Sequence, residues 1–364
     1  MSKHFIITII TLIAIGVVAS IAIFFAKGYT FSPQERKVLG TGIINISSEP
    51  DAASVYIDGH LTTATNATVS SLKPKTYSVK VVKEGFIPWE RKIDVKEGLV
   101  TAVKVTLFPS IPSIYPLTFS GVEKVQLSPD GSKIAYTVPA KNSLGEINKK
   151  AGIWVWTLIR NQPIAFARSA QPHQIASSQF IDFSKATLSF SPDSKQVLAN
   201  TSSQNWLLDA DNFNSDPRDI TPILDATLKS WAEDVRDKDA VRVASIKDAK
   251  FKKIASDSAN LSWSPDETKF MSEGKVYDLE EQKEYQIPPA RVHIWLPDSR
   301  HIIMVEEGTI SVLDFDGTNK AVIFAGTFLD NFVFPWPDSS RLVIISTFPT
   351  PTAQEPNLYG INLR

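Results

Sequence analysis

The sequence predicts an all-β chain behind an N-terminal transmembrane helix: a small β-sandwich, then a β-propeller of five blades, six if one more is degenerate, with a single helical insertion. Three observations lead there. Residues 5 to 25 carry no charge, residues 42 to 108 hold short runs of alternating apolar and polar side chains, and beyond them one Pro-Asp turn recurs five times with the same flanking pattern. The expected layout is a short tail at 1–4, the anchor at 5–25, a linker at 26–41, the sandwich at 42–108 and the propeller at 109–364, with its insertion at about 221–256.

From Phe5 to Phe25 only small hydroxyls and Gly16 interrupt Ile, Leu, Val, Ala and Phe, which gives about the twenty residues a bilayer-spanning helix needs. Lys3 and Lys27 bound the run. A cleaved leader has a shorter apolar core and ends at a small-x-small site, whereas this run ends on bulky Ile23, Phe24 and Phe25. An uncleaved signal-anchor is expected. Lys3 and His4 before it nearly balance Lys27, Arg36 and Lys37 after it, so charge alone sets no orientation.

Composition narrows the function classes. Hydrophobic residues make up 43% and charged residues 21%, as in folded domains, and 39 acidic against 38 basic residues leave a net charge of −1. Without a basic excess, nucleic acid is not an expected partner. The absence of cysteine excludes disulfides, thiolate metal sites and cysteine nucleophiles.

Tyr29 to Gly40, with Pro33 and mixed charges, reads as a tether. Strands follow at Gly42 to Ser47, Ser54 to Ile57, Tyr77 to Lys83, Trp89 to Val95 and Val100 to Leu107, with Asp58-Gly59 as a two-residue hairpin turn. The stretch Ser48-Glu-Pro-Asp-Ala-Ala-Ser-Val-Tyr-Ile-Asp-Gly59, followed by Lys83-Glu-Gly-Phe-Ile-Pro-Trp89, resembles the PEGA domain, a small β-sandwich of bacterial and archaeal envelope proteins. Ala52 stands where that family usually has Gly, and Lys73-Pro-Lys75 replaces a Gly-containing turn. The resemblance implies an envelope location and an interacting role, with no assigned activity.

The repeat comprises Leu127-Ser-Pro-Asp130, Phe190-Ser-Pro-Asp193, Trp263-Ser-Pro-Asp266, Trp295-Leu-Pro-Asp298 and Pro335-Trp-Pro-Asp338. Proline presets φ for the second position of a type I turn and aspartate bonds the backbone from the third, so each copy reads strand, turn, strand. Five and six residues after the proline come paired apolar residues, from Ile134 and Ala135 to Leu342 and Val343. Apolar side chains on both faces mark a strand covered on both sides, as an inner blade strand is. A third strand follows each copy, at Gly152 to Leu158, Asn205 to Asp209, Lys275 to Leu279, Thr309 to Phe315 and Asn357 to Asn362. The pattern resembles the TolB-like propeller repeat, although only Asp130-Gly131 keeps that family's glycine, Ser194, Glu267, Ser299 and Ser339 standing there in the other copies. A sixth blade would have to lie at Gln171 to Phe183. Ile114 to Phe119 belongs to no hairpin and is the expected donor of an outer strand to the last blade. In the insertion, Thr221 as N-cap and Pro222 open a helix whose Leu224, Leu228, Trp231 and Val235 form a stripe expected to lie on the propeller.

No Gly-x-Ser-x-Gly elbow, phosphate loop or His-Glu-x-x-His occurs. His4, His60, His173, His293 and His301 are single and lack metal-ligand spacing, and Asp209 to Asp216 reads as a turn, because Phe213 takes a ligand position and no glutamate closes the loop. No catalytic, cofactor-binding or metal residue is therefore assigned and no cofactor is expected. The expected function is that of a membrane-tethered, extracytoplasmic, non-catalytic binding or scaffold protein on the cytoplasmic membrane, whose partner is an envelope protein or cell-surface polymer. The alternative is a carbohydrate-active or sugar-binding propeller using axial carboxylates.

Overall fold

A computed structural model describes residues 3–26, 29–32, 37–141, 145–158, 171–258, 260–329, 332–348 and 355–364. The chain divides into two compact units, 1–111 with residue 364, and 112–363.

Helix α1 spans Lys3–Ala26. Its described side chains, at 7, 9–20 and 23, are all exposed, and nearly all are apolar. Among the described residues no helix is long and apolar enough to cross a membrane. The anchor expected at 5–25 is thus present as a helix and not established as a span. The expected linker is also corrected: strands β1 (Tyr29–Ser32) and β2 (Lys37–Gly40) pair antiparallel, so the segment doubles back on itself as a ribbon.

The sandwich comprises β3 (Gly42–Glu49), β4 (Ser54–Ile57), β5 (His60–Ala64), β6 (Ala67–Leu72), β7 (Thr76–Val82), β8 (Trp89–Asp94) and β9 (Val100–Thr106). One sheet runs β6-β3-β9, with β3 and β9 parallel, and the other β5-β4-β7-β8. Alternation supplies the core: Ile44 and Ile46 of β3, Val55 of β4, Val79 and Val81 of β7 and Val103 and Val105 of β9 point between the sheets. Asp58 and Gly59 both have positive φ, 49° and 82°, as the two-residue turn requires. Ala52 adopts φ 53°, the conformation for which glycine is ordinarily chosen.

The second unit begins with β10 (Ile114–Pro116) and continues as four-stranded antiparallel sheets. The first sheet holds β11 (Glu123–Leu127), β12 (Lys133–Val138), β13 (Gly152–Thr157) and β14 (His173–Ser177). The second holds β15 (Thr187–Phe190), β16 (Gln196–Asn200), β17 (Asn205–Asp209) and β18 (Arg218–Asp219). After the insertion the third holds β19 (Ser262–Trp263), β20 (Lys269–Ser272), β21 (Lys275–Asp278) and β22 (Lys283–Gln286). The fourth holds β23 (Val292–Trp295), β24 (His301–Glu306), β25 (Thr309–Asp314) and β26 (Ala321–Ala325). The fifth contains β27 (Val333–Pro335), β28 (Arg341–Ser346) and β29 (Asn357–Asn362), and β10 completes it against β29, as the unpaired segment at 114 to 119 suggested. The stretch from Gln171 to Phe183 contributes β14 to the first sheet, so it does not form a sixth.

The second strands are buried on both faces, Ile134, Val197, Phe270, Ile302 and Leu342 each fully, because both faces of each sheet meet a neighbour or a cover. Residues of the first and second sheets share a core, as do those of the third and fourth. Phe324 of β26 meets Phe348 beyond β28 at 6.4 Å, and Trp156 of β13 meets Trp336 of the fifth sheet edge-on at 5.4 Å.

The insertion departs from expectation. A 3-10 turn at Thr221–Ile223 leads into α2 (Leu224–Ser245), none of whose residues is buried. Leu228 and Val235 remain 42% and 48% exposed, so the stripe does not anchor the helix. Thr221 is not the N-cap; its hydroxyl accepts from the Asn205 N–H. The packing is done by α3 (Ala249–Asp257), capped by Asp248 and buried through Phe251 and Ala255 against Phe270 and Tyr277.

Candidate functional site

Each repeat turn is a closed hydrogen-bond box. In the first, the Gly131 N–H donates to the Ser128 carbonyl, Asp130 accepts from the Ser132 N–H at 3.0 Å and from the Ser128 hydroxyl at 2.6 Å, and Ser128 Oγ accepts from the Lys133 N–H at 2.9 Å. The Ser191 and Ser264 copies repeat these contacts. The fourth copy has Leu296 in place of the serine. There Asp298 accepts from the backbone N–H groups of Arg300 and His301 and binds the His301 ring Nδ1 at 2.6 Å. In the fifth, Asp338 accepts from the Ser340 N–H.

These bonds account for the electrostatics. Burial pushes the Asp130 and Asp266 carboxyls up, but the serine, threonine and backbone donors outweigh it and hold both below the ordinary value. The Ser191 hydroxyl does the same for Asp193. His301, 3% exposed, lies between Asp298 and Asp314, the latter 3.3 Å from its Nε2. Burial alone would lower the imidazole, yet the two carboxylates raise it to about 8.

Four of the five turns open on one cavity. Pro129, Pro265, Pro297 and Pro337 line a space of about 810 Å³ together with Val235, Asp239 and Arg242 of α2. The second turn faces another side of the helix, where Pro192 and Asp193 form a separate cleft with Trp231 and Lys238. Helix α2 stands between these two spaces on polar contacts: Lys238 Nζ donates to the Pro192 carbonyl at 3.3 Å, and Arg242 Nε to Glu267 at 2.8 Å. Trp263 also lines the larger cavity; it is partly buried and packs against the core of the third sheet, its ring 5.6 Å from that of Phe270. Its indole N–H has no partner among the described residues. Trp295 belongs to the core and ties the fourth sheet to the third through a bond from its Nε1 to the Ser262 carbonyl at 3.0 Å.

The other sequence candidates resolve individually. Asp209 accepts from the N–H groups of Asp211 and Asn212, so the acidic stretch at 209 to 216 is a turn. His60 is exposed, and His293 Nε2 bonds the Pro288 carbonyl. Among the described residues no group of three or more His, Asp or Glu could hold a metal ion. Sequence reasoning missed the cavity-lining Trp263 and the α2 contacts, which depend on residues far apart in the chain, and the His301 carboxylate pair, whose Asp298 lies three residues away but whose Asp314 comes from the next strand.

Residues 41–111 match the PEGA domain family. No curated protein matches the chain. Among solved structures, the chain is similar to a putative TolB from Agrobacterium tumefaciens, with 14% identity, 64% of this chain and 76% of that one covered, and a TM-score of 0.22. It is also similar to TolB from Acinetobacter baumannii, with 14% identity, 79% of this chain and 59% of that one covered, and a TM-score of 0.23. Likenesses at these values carry no weight beside the sheet topology itself.

Proposed function

We propose that the chain is a membrane-tethered, extracytoplasmic binding or scaffold protein of the cell envelope, without turnover of its own, whose five sheets close as a five-bladed propeller around the turn-lined cavity. The observation that carries this reading is that cavity. Its rim is rigid, built from proline turns locked by internal hydrogen bonds. One of its walls is α2, none of whose residues is buried, and Trp263, only partly buried, lines the same space. Membrane tethering is supported by α1: an apolar helix exposed on every described side chain needs a cover, and a bilayer provides one for a run of this length. The PEGA domain supports the envelope location.

Catalysis by axial carboxylates is disfavoured by how the turn aspartates are used. Asp130 reaches the cavity but already accepts from two hydroxyls and a backbone N–H, so it is held ionised and cannot serve as a general acid near neutral pH.

The test places a photo-crosslinking amino acid at Trp263 or Val235 of the full chain, and a control on the exposed edge at Val322, in intact cells. The same adduct from both cavity positions, absent from the control, is the expected result. Turnover of a glycan or peptide by the purified chain, abolished by one Asp or Glu substitution that leaves the fold intact, would defeat the reading.

A further inference from the structure

A second cavity lies on the first sheet, away from the repeat turns. Tyr136 of β12 and Trp154 of β13 are register partners, and Ile134 and Trp156 pair two residues along, so Tyr136, Trp154 and Trp156 share one face. The Trp156 end of that face is closed by Trp336. At the other end the three rings, with Ser120, Lys150 and Gln171, line a space of about 530 Å³, within the range of about 300–1,000 Å³ typical of sites that bury a small ligand.

Three details make this more than a gap in packing. Tyr136 is 3% exposed, yet its hydroxyl has no hydrogen-bond partner among the described residues, and burial pushes the phenol up, so it stays a neutral O–H. A hydroxyl so placed takes its partner from the cavity, either water or a bound molecule. Trp154 spends its indole N–H on the Lys150 carbonyl at 2.8 Å, which fixes the ring and leaves the ring itself as what it offers the cavity. Lys150, which is exposed, lines the same space, its ammonium has no partner among the described residues, and no carboxylate is among the described lining residues.

We propose that this cavity binds a pyranose unit of an acidic glycan. A sugar ring has a C–H face that lies on aromatic rings and an edge of hydroxyls that needs donors and acceptors, which the Tyr136 hydroxyl and Gln171 amide supply. A purely apolar ligand would leave the Tyr136 hydroxyl unpaired. A cationic one would meet Lys150, whereas the carboxylate of a uronic sugar would pair with it. With no carboxylate among the described lining residues to act as acid or base, the glycan is held and not cut. The site is distinct from the turn-lined cavity and independent of α2.

The experiment titrates the full chain in detergent with trigalacturonate and with neutral maltotriose, following tryptophan fluorescence. Trigalacturonate should bind at least about tenfold more tightly, the difference expected of one charge-assisted contact. Y136F, which keeps the ring, should weaken both sugars about tenfold with an unchanged melt, and K150Q should abolish the preference while leaving maltotriose unaffected. Absence of binding by a natively folded chain at millimolar sugar, equal binding of the two sugars, or wild-type affinity in Y136F would each overturn the proposal, and none of these would touch the crosslinking result at Trp263.

Discussion

The Asp266 backbone N–H donates to Ser299 Oγ at 3.0 Å, tying the turn of the third sheet to that of the fourth. The first and second turns are joined the same way, Asp130 N–H to Ser194 Oγ at 3.3 Å. Both serines stand at the position that Gly131 holds in the first copy. That position has positive φ in every copy: 68° at Gly131, 62° at Ser194, 59° at Glu267, 58° at Ser299 and 59° at Ser339. A left-handed conformation costs a residue with a Cβ on the order of 1–2 kcal/mol, and at Ser194 and Ser299 the side chain offsets this by clasping the neighbouring turn. S299A keeps the strain and removes the acceptor, so it should destabilise the chain by about 1–2 kcal/mol, whereas S299G should cost less. Urea denaturation of both variants checks the order; equal losses would show that the left-handed backbone carries no cost there, and an unchanged S299A that the hydroxyl contributes nothing.

Between the second and third turns the clasp is replaced by α2, through Lys238 and Arg242. Arg242 and Glu267 are 35% and 53% exposed at their side chains, so the pair contributes at most about 1 kcal/mol. R242A should therefore leave the global melt nearly unchanged while amide exchange across residues 224 to 245 rises several-fold. Unchanged exchange would mean that another contact holds the helix.

His301 makes stability pH-dependent. Its folded pKa is raised from 6.5 to about 8 by Asp298 and Asp314, so its contribution is complete below 6.5 and is lost as pH rises through about 8. The loss should be on the order of 2 kcal/mol. Asp298 itself, held low chiefly by His301 against the effect of burial, acts at the other end, losing its contribution as pH falls below 3.8. Stability measured from pH 6 to 9 should decline in the parent and lie flatter in H301Q. Parallel curves would refute the assignment.

Tyr115 and Gly360 fit against each other where β10 joins the fifth sheet. A Cβ at Gly360 would come within 2.7 Å of the Tyr115 ring, whose hydroxyl accepts from Arg341 at 2.8 Å. G360A should push β10 aside and lower the melting temperature by several degrees, and removal of residues 111 to 120 should lower it further. A melt unaffected by either change would mean that this strand is dispensable.

The repeat was legible because each turn is local: Pro129, Asp130 and Gly131 specify their conformation within four residues, and the paired apolar residues after them, such as Ile134 and Ala135, mark a strand covered on both faces. The added strand β10 was legible by elimination, since Ile114 to Pro116 had no hairpin partner. Helix α2 was misjudged because the spacing of Leu224, Leu228, Trp231 and Val235 promises a buried face, and only tertiary structure reveals that α3 took that role with Phe251. The ribbon of β1 and β2 was missed because Tyr29 to Gly40 carries no strong alternation. The cavity residues Trp263 and Tyr136 were invisible as such, since an aromatic side chain on a strand reads as core until the opposite wall is known.

The pairing of β10 with β29 has a consequence in time. The Thr118 hydroxyl donates to Asn357 Oδ1, 239 residues away in sequence, and Thr118 Oγ1 accepts in turn from the Leu358 N–H. At about 5–20 residues per second of synthesis, β10 emerges tens of seconds before the strand it needs. For that interval it is an unpaired edge exposed to every other strand in the vicinity. Its brevity and Pro116, which has no N–H to donate, make it a poor template for wrong partners, so the nascent chain can wait without aggregating.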